Sequence, residues 1–233
     1  MLQVCLNGSR GPGDSAAVPM TPESLAESAA RAVAAGAREV RVHPRTPCGG
    51  TSLSPRVLGP VLRAIGAAVE TPVRITTTAS AEPDPGRRVE RIRSWTVLPG
   101  LVSVDWHAPG AEEVATALLE RGVGVEAALW SGTEGPARFA RSPLAPRVRR
   151  VLAKVAGPDD DPLATAQALL SALAVPAGVP VLLHGEEGGA WPVLRLARRL
   201  GTDARIGLED TLFLPDGTRA RSNAELVAAA LAD

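Results

Sequence analysis

Cysteine, histidine and lysine are scarce in this 233-residue chain, and each scarcity removes a class of explanation. Two cysteines, Cys5 in an apolar run and Cys48 in a Pro/Gly loop, are too few for a disulfide framework. A reducing compartment, the cytoplasm, is therefore expected. No apolar run reaches the roughly eighteen residues of a membrane span, and the opening "MLQVCLNGSR" breaks at Asn7 without a basic leader. Acidic and basic residues number 25 each, so no excess of one sign points to nucleic acid or to an anionic membrane as a partner. A small molecule remains the expected ligand. Lys154 is the only lysine among the 25 basic residues, a ratio that codon bias explains alongside the abundance of Ala, Gly and Pro.

What is present is a regular alternation of short β-type runs with helical patterns. Strands are expected at 2–7, 39–43, 72–77, 101–105, 122–127, 148–154, 179–184 and 203–209. Helices are expected near 22–35, 55–69, 87–95, 110–121, 134–141, 160–174, 188–200 and 222–231. Thr21-Pro22-Glu23 opens the first helix with a cap and a proline at its first position, and Ser222 with Glu225 three residues on opens the last. With 45% hydrophobic residues the chain can bury one large core. Eight strand–helix units predict a single (β/α)8 TIM barrel over residues 1–233, with an open doubly wound sheet as the runner-up.

The strand ends favour the barrel. Asn7, His43, Thr76, Thr77, Asp105, Glu126, Lys154, His184 and Glu209 all fall at or near C-terminal ends, where barrel enzymes assemble their sites. Strands also end in polar residues simply because they reach solvent there. In "EVRVH" the period of two puts Arg41 and His43 on one face, inward if the valines meet the helices. In "ARIGLED" it groups Arg205, Gly207 and Glu209, with Gly207 leaving room for a ligand or a neighbouring side chain. His43 and Glu209 then approach each other above Asn7. Together they supply two donors for a divalent metal, with His184, His107 or Asp105 open as a third. The threonines of "RITTTAS" suit a carboxylate or carbonyl oxygen. Neither "GSRGPG" nor "HGEEGGAW" matches a phosphate loop or a dinucleotide fingerprint.

The stretches "CLNGSR", "VPMTPESLAESAARAVAAGA" leading into "VRVHPR", "WTVLPGLVSVD", "RGVGVEA" and above all "ARIGLEDTLFLPDGTRARSNAELV" together resemble the β-keto acid cleavage enzymes. That family comprises zinc-dependent (β/α)8 barrels that act on a 3-keto acid and acetyl-CoA to give acetoacetate and a new CoA thioester. The resemblance implies a metal held by a His-x-His pair and by the glutamate of a Gly-x-Glu-Asp block, here His43 and Glu209. Arg41 stands where the first histidine belongs, and His184 is the candidate for the missing donor. It implies Asp210 as the base that removes an α-proton, assisted by Arg205, and substrate oxygens held at Thr76 and Ser103. Asn7, Thr77, Glu126 and Arg41 complete the expected substrate contacts.

Other positions depart from the family. Ala128 stands where some members carry a second glutamate, Thr78 where glycine is usual, and Arg10 where some carry an acid. Two further routes follow from the residues. Arg41 can stabilise an enolate in place of metal, and Lys154 can form a Schiff base with a keto substrate. A lapsed barrel that only binds a small acid is the non-catalytic alternative. Association into a homo-oligomer is expected from the resemblance.

Overall fold

The computed structural model describes residues 1–157 and 160–232. Eight parallel strands, β1 (Leu2–Cys5), β2 (Glu39–Arg41), β3 (Val73–Thr76), β4 (Leu101–Asp105), β5 (Gly124–Trp130), β6 (Arg150–Val155), β7 (Val181–Gly185) and β8 (Asp203–Ile206), pair in chain order and close through β1 and β8 into a barrel. Helices α1 (Pro22–Ala34), α2 (Pro55–Ala68), α3 (Pro85–Arg93), α4 (Ala111–Glu120), α5 (Gly135–Ala140), α6 (Pro162–Ala172), α7 (Ala190–Leu200) and α8 (Asn223–Ala232) follow the strands in turn. The (β/α)8 expectation is met, and the open sheet is excluded by the β1–β8 pairing. Among the described residues no helix is long and apolar enough to cross a membrane.

Local chemistry sets the helix starts. The Thr21 hydroxyl accepts from the Ser24 N–H, while the Ser24 hydroxyl accepts from the Thr21 N–H, closing a capping box ahead of Pro22. Asp84 and Asp161 cap α3 and α6 in the same way, and the Ser222 hydroxyl accepts from the Glu225 N–H at α8.

The strand period then sorts the side chains. Val4, Val40, Val42, Ile75, Val102, Val104, Val125, Val151 and Ile206 face the helices in one continuous apolar core. The opposite positions point into the barrel, and many carry charge. Two buried carboxylates organise them. Glu39 accepts from Gln3 Nε2, from Arg74 Nε at 2.7 Å and from Arg150 Nη2 at 2.6 Å. Glu126 accepts from the Arg150 Nε–H, the Ser103 hydroxyl and Arg41 Nη1, the last at 3.0 Å. Arg150 thus bridges both acids, and a chain of alternating charge runs Arg74, Glu39, Arg150, Glu126, Arg41 towards the C-terminal mouth. A small apolar cluster of Ala128, Leu152 and Leu182 sits beside it, separate from the main core.

Two glycines let the barrel close. A Cβ on Gly207 would stand 2.0 Å from the Cys5 carbonyl oxygen, so the chain after β8 crosses β1 only without a side chain. The space expected there for a ligand is filled by β1 backbone. Gly8, at φ +55°, would place a Cβ 2.2 Å from Glu209 Cγ.

Burial pushes the Glu126 carboxyl up, but Arg150, Arg41 and the Ser103 hydroxyl more than offset this and hold it below its ordinary value. A depressed folded-state pKa means that this stabilisation is present above the unfolded-state value and is lost as pH falls through the folded one. Glu126→Gln strands two buried guanidiniums and should cost about 3–5 kcal/mol of unfolding free energy at neutral pH, with a smaller loss towards acid. Urea unfolding at pH 7 and pH 4 measures both; equal losses at the two pH values would contradict the ionic role.

Candidate active site

The mouth is assembled from the residues that follow each strand. Asn7, just past β1, is fully buried; its amide donates to the His43 carbonyl and its oxygen accepts from the His43 N–H, both at 2.9 Å. This two-point clamp orients His43, whose Nε2 lies 3.4 Å from Glu209 Oε1. Past β8 the chain turns sharply. Arg205 Nη2 reaches Asp210 Oδ1 at 2.6 Å and Glu209 Oε1 at 2.9 Å, while Nε spans both Asp210 oxygens at 3.1 and 3.2 Å. Arg10 Nε donates to the Glu209 carbonyl and its Nη2 pairs with Glu187. On the far side Lys154 Nζ pairs with Glu186 at 2.6 Å and lies 3.7 Å over the Trp130 ring.

These groups surround a cavity of about 450 Å³. Arg41, His43, Thr76, Asp105, Lys154, His184, Arg205 and Glu209 line it, so most of the candidate site residues read from the sequence face one space. Asn7, Thr77, Ser103 and Glu126, expected as substrate contacts, do not. The Thr77 hydroxyl donates to the Ser103 carbonyl, and Ser103 and Glu126 lie beneath Arg41 and fix its guanidinium. Asp210 is fully buried one side chain behind the wall, 3.6 Å from His184 Nδ1. His107 packs against Trp130 in a tilted contact, ring centroids 4.6 Å apart and planes at 56°, and is not part of the wall. Sequence reasoning missed Trp130 and Glu186. The expected end of the fifth strand fell three residues short of the observed one, which hid Trp130; Glu186 lay two positions past His184, where the strand period alone would have found it.

Burial raises the Asp210 carboxyl to about 6, helped by Glu209 and Glu186 and opposed by Arg205. Burial would also raise Glu209, but Arg205 and His43 hold it well below the ordinary range. Burial, with Arg205 and Lys154, pushes His184 well down and keeps the imidazole neutral. The Cys5 thiol, deep below the mouth, is pushed well up by burial against the pull of Arg205 and stays protonated.

His43 Nε2, Glu209 Oε2 and both His184 nitrogens are buried without a hydrogen-bond partner among the described residues. Two ligands of a tetrahedral ion with bonds of about 2.0–2.1 Å stand about 3.4 Å apart, so His43 and Glu209 are spaced as co-ligands. Among the described residues no third donor of the same kind is in place. Arg41 offers no lone pair, and it and Arg205 bring two fixed cations to the position. Glu186, Glu209 and Asp210 form a group of three carboxylates with donor atoms within 4.8 Å, yet each already pairs with Lys154 or Arg205. The residues present therefore do not complete a zinc site of two histidines and a glutamate.

The arrangement is a cup with a hydrogen-bonding wall on the β8, β1 and β2 side and a partly apolar wall on β5 and β6. Solved structures with this architecture include ObcA with oxaloacetate (TM-score 0.67, 16% identity, 91% of this chain and 62% of that one). ObcA in a ternary complex with a C4-CoA adduct and oxalate gives a TM-score of 0.68 at the same identity and coverage. N-acetylmannosamine-6-phosphate 2-epimerase from Clostridium perfringens matches at 0.56, with 14% identity over 90% of this chain and 87% of that one. At such identities the likeness is one of fold, and the chain covers under two thirds of ObcA. No curated protein sequence matches. The sequence profile of the beta-keto acid cleavage enzymes matches residues 1–134 and 140–232, and the chain belongs to that family.

Proposed function

We propose that this barrel exchanges acyl groups between a 3-keto acid and acetyl-CoA, yielding acetoacetate and a new CoA thioester. The observation that carries the reading is the buried Arg205–Asp210 pair set against the neutral, unpartnered His184 on the wall of the cup. Family membership supports it, and the oxaloacetate and CoA adduct in the ObcA complexes fit the same substrate classes.

In this reading His184 receives the proton from C2 of the keto acid and passes it to Asp210, which Arg205 holds in place. The carbanion forms a bond to the acetyl carbonyl carbon, and the C–S bond breaks to release CoA thiolate. The thiolate then attacks the original keto carbon, the C2–C3 bond breaks with its electron pair on C2, C2 takes the proton back from Asp210 through His184, and acetoacetate departs while the acyl group leaves on CoA. Arg41, fixed by Glu126 and Ser103 and facing the cup, is placed to stabilise negative charge on the keto oxygen. The Schiff-base route has less support, because Lys154 is held by Glu186 and Trp130 in contacts that a cation makes.

Turnover with acetyl-CoA and a panel of 3-keto acids is the direct test. Asp210→Asn and His184→Asn should each lower kcat by about 10²–10⁴, and the double variant should fall no further, since the two act as one relay. Full activity in His184→Asn would show that Asp210 acts without it.

The metal is tested separately. Protein expressed without added zinc should carry well under one zinc per chain, and Arg41→His should raise this towards one, with Arg41→Gln controlling for the lost Glu126 pair. Stoichiometric zinc in the unaltered protein sinks the reading of an incomplete site.

A further inference from the structure

The cup is not polar all round. Inside a barrel whose interior is otherwise rich in charged and polar groups, Ala128, Leu152 and Leu182 form an apolar cluster of their own, with Trp130 packed on it. Strand register explains the patch: Ala128 pairs with Leu152 across β5 and β6, and the next inward pair towards the mouth is Trp130 with Lys154. Ala128, Leu152 and Trp130 face the cavity, while Leu182 lies beneath them as backing. The opposite wall holds the groups that take up carboxylate and keto oxygens, so the two ends of a bound acid meet different chemistry.

The groups at the edges of the patch narrow the choice. Asp105, the register partner of Ala128 on β4, faces the cavity and makes no side-chain hydrogen bond or ion pair among the described residues. Lys154 flanks the other edge. A charged tip of either sign laid on the patch is attracted to one of these edges and repelled by the other, and Lys154 is already paired with Glu186. Either charge would lose its water over Ala128 and Leu152 without a net electrostatic gain to offset the loss. A saturated carbon chain loses nothing and gains burial.

We infer that this patch is the subsite for the substrate's side chain, and that the side chain is uncharged and aliphatic. The inference rests on the 3-keto acid reading for its head group only. Ala128, Leu152 and Trp130 are the residues that set specificity, and the substrate class is the simple alkyl 3-keto acids, not dicarboxylic or amino-substituted ones.

Two measurements on the whole protein test it. Calorimetric titration with 3-hydroxyhexanoate, 3-hydroxyadipate and 6-amino-3-hydroxyhexanoate reads the subsite without turnover, because these acids lack the keto group that the reaction needs. The kcat/KM values of the matching 3-keto acids with acetyl-CoA read it with turnover. The uncharged acid should bind at least about a hundredfold more tightly than either charged one, and each methylene from 3-hydroxybutanoate upward should add up to about fourfold.

Ala128→Glu should move the preference to the amino acid, and Leu152→Ala should flatten the methylene series; thermal unfolding checks that both variants fold. A charged acid bound as well as the uncharged one, no binding by any of the three, or an unchanged ranking in Ala128→Glu overturns the subsite. Binding of the uncharged acid without turnover removes the cleavage reading and leaves the subsite standing. Turnover that favours a charged acid does the reverse.

Discussion

The ion pair between Glu126 and its two arginines, Arg41 and Arg150, is the constraint around which the barrel interior is arranged. Three groups from β2, β5 and β6 meet there with almost no solvent, and Arg150 carries the connection on to Glu39 near the floor. Buried charges are tolerated only when each has partners of opposite sign and good geometry. A strand slipped by one residue would turn these groups outward into the apolar layer, so the same network that neutralises the interior also fixes the register of the strands that carry it.

The upper end of that network shapes the mouth. Arg41 is tethered from below by Ser103 and Glu126, so its guanidinium stands as a fixed positive group under the cup. Across from it, Arg205 pairs with both Glu209 and Asp210. The unpartnered atoms, His43 Nε2, Glu209 Oε2 and the His184 nitrogens, lie where polar atoms of a ligand would find partners. The cup is thus preorganised: most of its charged groups are already held in pairs, and a substrate has to supply the missing hydrogen bonds.

Most of the fold was legible in the sequence because it depends on local patterns. The Thr21 and Ser222 caps, the apolar alternation and the polar strand ends each act over a few residues. Site membership was legible to the extent that it followed strand period, which put Arg41, His43, Lys154, His184, Arg205 and Glu209 at one mouth. What was not legible depends on pairings distant in the chain. Arg41 and Glu126 are 85 residues apart, and no local signal says that the second would hold the first and so withdraw from the substrate. Strand period also misleads once a strand has ended: β8 stops at Ile206, and Glu209 reaches Arg205 through the turn beyond it. Asp210, read as facing the substrate, lies behind the wall for the same reason.

The crossing at Gly207 has a consequence for how the site comes into being. Arg205, Glu209 and Asp210 belong to the chain's last strand and the turn after it; Asn7, which holds His43, and Cys5, whose carbonyl touches Gly207, belong to its first. The cup therefore straddles the seam where the sheet meets itself, and the contacts across it have the longest sequence separation in the barrel, the kind that closes late in folding. A chain with every strand formed but the seam unzipped would have the Glu126 network and no cup, so the appearance of the binding site during refolding is a direct report of barrel closure.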